Sequence, residues 1–129
     1  MACGEPKNRP STLSELEKIA ADTANFTSLQ WKDSIINFGT IKQNQQIEIT
    51  FYCTNTGTKP LYIIKVQPGC GCTTGDYTKE PIKPGEQGWV KAIFNSTNQL
   101  PEVHKSILVY CNTKPNTEHK LLFEGSITN

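Results

Sequence analysis

Arginine is nearly missing from this 129-residue chain, with Arg9 the single one. Planar guanidinium forks are what phosphate and nucleic-acid sites use for bidentate contacts, so their scarcity argues against a nucleic-acid partner. Net charge is scarce as well: 13 basic and 12 acidic side chains leave a formal charge of +1. No strong field steers a charged ligand, and no run of like charge reads as a binding tail. No stretch of about 18 apolar residues occurs, so no segment reads as a membrane-spanning helix. Catalytic groupings are missing too. His104 and His119 are the only histidines, no Ser-His-Asp order comes with a nucleophile turn, and no glycine-rich loop opens a helix to hold phosphate. Asp76, Glu80 and Glu86 are scattered and read as solvated turn residues. The expectation is a protein with no enzymatic activity and no cofactor.

Cysteine, by contrast, is plentiful. Five in a chain of this length is high for a reducing cytosol and ordinary for an oxidising compartment. An odd count leaves at least one unpaired, modified or joined elsewhere. Cys3 is the odd one out. It stands in "MACGEPKNRPS", and Ala-Cys followed by small and polar residues is how a bacterial lipoprotein begins once its apolar signal is removed. Cys3 is therefore the candidate lipidation site, and its acyl chains would be the anchor to a membrane.

Residues 1–28 read as a tether with a short helix near 12–24, where Thr12 or Ser14 can cap and Leu13, Leu16, Ile19 and Ala20 fall at helical spacing. From residue 29 to 129 the texture is different: short β-branched and aromatic segments alternate with Gly, Pro, Asn and Thr turns. Strands are expected near 33–41, 45–55, 60–68, 73–78, 86–95, 103–112 and 118–128. In "QIEITFYCTN" Ile47, Ile49, Phe51 and Cys53 share one face, which marks a strand buried on one side. Gly57 and Gly85 are expected to supply positive φ in turns, and Pro60 and Pro84 to fix theirs. About seven such strands point to an all-β, immunoglobulin-like β-sandwich.

Several segments occur together in order: "INFGTI", "FYCTNTGTKPLYI", "GCGCTT", "EPIKPGEQGWVKAIFN" and "LLFEGSI". On these the chain resembles the domain-of-unknown-function family numbered 1573, common in the envelopes of Bacteroidetes-type bacteria. That family is similar to the Hydin and major-sperm-protein type of immunoglobulin-like domain. The resemblance implies the sandwich and a cell-envelope, periplasm-facing or surface location, with no established reaction. It makes Gly69, Gly71, Thr73, Pro84 and Gly85 motif residues. Cys53 and Cys111 lie outside the motif.

Cys53 falls late in the second expected strand and Cys111 late in the sixth. In an immunoglobulin sandwich these strands run the same way in opposite sheets, so the two are candidates for an inter-sheet disulfide worth roughly 4 kcal/mol; buried free thiols are the alternative. Cys70 and Cys72 follow the third strand and should lie at the opposite end, which argues against one four-thiolate zinc site. Three readings stay open for them: a small-ring, reducible disulfide, a soft-metal site for an ion such as Cu(I), or packed structural thiols. Packing is preferred, because nothing near them in sequence activates a thiol; Lys65 and Lys79 would do so only if folding brought them close. The leading functional expectation is a non-catalytic envelope lipoprotein domain for binding, adhesion or scaffolding. The alternatives are a thiol redox or copper-binding protein using Cys70 and Cys72, and a glycan-binding module using Trp31, Tyr52, Tyr62, Tyr77 and Trp89.

Overall fold

The computed structural model describes residues 23–129 together with Lys18. Cys3 and most of the expected helix over 12–24 lie outside the described residues; Thr23–Asn25 form a 3-10 turn. Eight strands follow among the described residues: β1 Leu29–Trp31, β2 Ile35–Lys42, β3 Gln46–Asn55, β4 Ile63–Pro68, β5 Thr73–Tyr77, β6 Gln87–Asn95, β7 Glu102–Cys111 and β8 Glu118–Thr128. They form two four-stranded sheets, ordered β1-β3-β6-β5 and β2-β8-β7-β4. This is an all-β, immunoglobulin-like sandwich. Between β1 and β2 the chain crosses from one sheet to the other, and β2 then pairs with β8 in parallel while the remaining neighbours are antiparallel.

Period-two patterning explains why these segments became strands. On β3, Ile49, Phe51, Cys53 and Asn55 are buried while Glu48 and Tyr52 are exposed; on β6, Gly88, Val90, Ala92 and Phe94 are buried. β7 and β8 answer from the other sheet with Val103, Ile107, Val109, Leu121, Phe123 and Ile127. The sheets meet through aromatic rings. Phe94 of the first packs edge-on against Phe123 of the second at 5.6 Å, and Phe38 lies 5.9 Å from Phe94 and 6.4 Å from Phe123.

The turn after β3 is built around a buried amide. Asn55 Oδ1 accepts from Thr27 Oγ1 at 2.8 Å and from the Gly57 N–H at 3.0 Å, while Nδ2 donates to the carbonyls of Lys59 at 2.7 Å and Ile82 at 2.8 Å. All four of its hydrogen-bonding positions are filled. Gly85 has the expected positive φ of 83° and donates its N–H to the Asn55 carbonyl at 2.8 Å. Gly57 does not have one, contrary to expectation, and its reason is spatial. A Cβ there would strike Thr27 Oγ1 and come within 2.7 Å of the Ser28 nitrogen, in the segment that packs across this turn.

Truncating the amide strands donors and acceptors in a buried setting. Asn55→Ala is expected to lower stability by about 3 kcal/mol in urea denaturation; a loss under about 1 kcal/mol, the net worth of one ordinary hydrogen bond, would contradict this role.

Candidate functional site

The motif "PGCGCTT" forms the connection where the chain passes from the second sheet to the first. β4 ends at Pro68, and the Gly69 N–H donates to the Ser106 carbonyl of β7 at 2.9 Å. β5 begins at Thr73, whose N–H donates to the Cys70 carbonyl at 3.3 Å. The Asn95 N–H holds the Cys72 carbonyl at 3.0 Å. Pinned on both sides, the turn brings Cys70 and Cys72 to a Cα separation of 5.4 Å, and their sulfurs are bonded. The structure thus replaces the preferred reading of two packed thiols with a disulfide. The physical reason is the tight bend at exposed Gly71, which folds the two flanking residues together.

The disulfide has an uneven environment. The Cys72 N–H donates to Cys70 Sγ at 3.3 Å. The hydroxyl of Thr73, buried beneath the loop, lies 3.8 Å from Cys70 Sγ and 3.7 Å from Cys72 Sγ. Both cysteines are half-buried, but only Cys72 borders an open depression of about 440 Å³, whose polar lining comes from Gln46, Thr74, Asn95, Thr97 and Gln99. Lys65 and Lys79 are engaged elsewhere. Lys65 Nζ lies over the Tyr110 ring at 4.8 Å, and Lys79 Nζ lies 3.8 Å over Tyr77 and 2.9 Å from the Asp76 carboxylate.

Cys53 and Cys111 occupy the other end of the sandwich. Cys53 is opposite Gly88 and Cys111 opposite Ile63, whereas Pro68, before the disulfide, is opposite Ile107 and Thr73 is opposite Phe94. Four thiolates therefore do not converge, and among the described residues no group of three or more His, Cys, Asp or Glu side chains is placed to hold a metal. Cys53 and Cys111 are buried and free, so the candidate bridge between them is not formed. They stand as two small buried thiols, each filling core space from its own sheet. Burial pushes the Cys53 thiol up to about 11, with a backbone hydrogen bond at Gly88 pulling the other way. Cys111 is driven up further by burial, with Cys53 adding to the effect.

The structure separates the five aromatics. Trp31 packs against the core, and its indole N–H donates to His119 Nδ1 at 3.4 Å. His119 Nε2 is 2.7 Å from Thr113 Oγ1, and burial lowers the His119 pKa, consistent with a neutral ring that accepts at Nδ1. The Tyr77 hydroxyl reaches across the sandwich to donate to the Ile64 carbonyl at 3.4 Å, and Tyr62 is tied through its main chain to Asn112. Tyr52 and Trp89 remain. They are direct cross-strand partners on β3 and β6, alternate with buried neighbours, and so face outward together. Lys91 Nζ lies 4.9 Å over the Trp89 ring and 3.9 Å from the Glu48 carboxylate, and Asp76 of β5 is in register with Lys91. This pair was legible in the alternation of the two strands; grouping the aromatics by type alone obscured it.

A family model described as "Protein of unknown function (DUF1573)" matches residues 29–127. The chain belongs to this family. No curated protein matches it. Among solved structures it is similar to a protein of unknown function from Porphyromonas gingivalis W83, with a TM-score of 0.71 and 14% identity over 81% of this chain. The match covers 49% of that protein, so this chain spans about half its length. It is also similar to PapD-like domain 7 of human CEP192, with a TM-score of 0.58 and 12% identity, covering 98% of this chain and 93% of the other. A third likeness is to the Vibrio cholerae protease VesB, at a TM-score of 0.53 and 12% identity, over 90% of this chain and 36% of the protease. At these identities the likenesses show the fold.

The buried thiols have a consequence for pH. A thiol whose folded pKa is raised favours folding while it stays protonated, and that contribution is present below the unfolded value near 9 and lost as pH rises toward the folded one. Cys53, raised from 9.0 to about 11, makes stability fall between those values. Urea midpoints are expected to drop more steeply from pH 8 to 10.5 in the native sequence than in Cys53→Ala; parallel slopes would contradict the shift.

Proposed function

We propose that this chain is a non-catalytic binding domain of the bacterial cell envelope, tethered to a membrane by lipid on Cys3, whose first sheet offers its outer face to a protein partner. The observation that carries this reading is the Tyr52–Trp89 pair. Tyr52 is 42% exposed on a regular sheet and is paired in register with Trp89. Tyr and Trp are the side chains that most often anchor protein interfaces, because they bury large area at small conformational cost. Around them Glu48, Lys91 and Asp76 form a charged rim, the arrangement expected of an interface that forms from water-exposed surfaces.

A protein partner is favoured over a glycan. A sugar stacks its apolar face on an open aromatic ring, and the Lys91 ammonium already lies over Trp89 at 4.9 Å. Support for the envelope location comes from the family resemblance and from "MACGEPKN", with cysteine usage that suits an oxidising compartment.

The test is site-specific photocrosslinking in the native host, with the protein expressed from its own gene. Crosslinkers at Tyr52 and Trp89 are expected to trap one discrete protein, while one at Lys120, on the other sheet, traps none. Cys3→Ser is expected to release the chain from the membrane fraction. Equal labelling from both sheets, or membrane association that ignores Cys3, would overturn the proposal.

A further inference from the structure

The Cys70–Cys72 bond is more than a staple, because its two sulfurs differ in what surrounds them. Disulfides that secure a fold are usually sealed in its interior; exposed ones are the labile, exchanging kind. This one closes a three-residue ring on a connecting loop, beside exposed Gly71. It ties no distant parts of the chain together: the strands it joins, β4 and β5, are already held by β7 and β6 through their own ladders. Reducing it leaves those ladders in place. A bond that contributes little to the fold and meets solvent is available for chemistry.

We infer that Cys70–Cys72 is a directional thiol–disulfide exchange site for a peptide dithiol, in which the incoming thiolate attacks Cys72 and Cys70 leaves. This holds independently of what the outer face of the first sheet binds. Cys72 borders the open depression and Cys70 does not, so a nucleophile seated there meets Cys72 first. Cys70 is the sulfur equipped to depart. It receives the Cys72 N–H at 3.3 Å, a donor that stabilises a thiolate and so makes it the better leaving group; the Thr73 hydroxyl, nearly equidistant from the two sulfurs, favours neither. The depression is lined by the neutral amides and hydroxyls of Gln46, Thr74, Asn95, Thr97 and Gln99. Such a lining suits the main-chain amides of an extended peptide better than a charged ligand.

The step balances as ordinary exchange. A partner thiolate forms a bond to Cys72 Sγ as the Cys70–Cys72 bond breaks, and the electron pair leaves on Cys70 Sγ. The partner's second thiolate then attacks its own sulfur in the mixed disulfide and releases Cys72. The partner dithiol is oxidised to a disulfide, and its two electrons and two protons are carried by Cys70 and Cys72 as thiols. Cys53 and Cys111, buried at the opposite end, take no part.

Glutathione serves as the probe. The oxidised folded chain is treated with excess glutathione, quenched at successive early times with acid and N-ethylmaleimide, and the peptide spanning 66–79 is sequenced by mass spectrometry. The expected result is glutathione on Cys72 and maleimide on Cys70, in several-fold excess over the reverse. A disulfide that survives glutathione while the chain is folded would overturn the inference. So would equal or reversed labelling, or an adduct on neither sulfur at any time.

Discussion

The contact on which this structure rests is the meeting of Phe94 with Phe123, 5.6 Å apart and edge to face, with Phe38 closing over both. No backbone ladder joins the two sheets, so beyond a few side-chain hydrogen bonds such as Tyr77 to Ile64 and Trp31 to His119, the side chains that fill the gap hold them face to face. Each fully buried aromatic contributes roughly 2–3 kcal/mol by area alone, and a well-set ring pair about 1 kcal/mol more. That requirement fixes the inward faces of β3, β6, β7 and β8. It leaves their outward faces free, and this freedom is what allows Tyr52 and Trp89 to point outward, Tyr52 exposed and Trp89 half-buried.

The two ends of the sandwich are finished by different chemistry. At one end, buried amides do the work. Asn55 satisfies the turn after β3, and Asn112 accepts the Tyr62 N–H at 2.6 Å and donates to the carbonyls of Asn25 and Pro60 at 2.7 and 3.0 Å. Cys53 and Cys111 lie at this same sealed end as protonated core residues. At the other end the chain crosses between sheets through a three-residue covalent ring, half-buried at its cysteines and exposed at Gly71. Thiol chemistry is thus separated along the length of the molecule, silent where the core is closed and accessible where the loop is open.

The alternation in "QIEITFYCTN" and "QGWVKAIFN" made β3 and β6 plain in the sequence, and the turn residues bounded most other strands to within a few positions. β1 escaped. Leu29–Trp31 pairs with only three residues of β3, too short a run for any period to emerge. Gly57 carried a correct signal with the wrong cause, since a glycine needed for space looks the same in sequence as one needed for positive φ. Counting strands sent Cys53 and Cys111 to the end opposite Cys70 and Cys72. Which pair was bonded could not be read, because that depends on angstrom-scale backbone approach, which the bend at Gly71 supplies for Cys70 and Cys72.

The central claim is that the reactive sulfur is confined to the open end. It is tested most directly by mapping every cysteine in the native, non-reduced protein by mass spectrometry, with alkylation before and after unfolding. The account predicts a Cys70–Cys72 link, with Cys53 and Cys111 alkylated only once the chain unfolds. A Cys53–Cys111 link, or free Cys70 and Cys72 in the untreated protein, would contradict it.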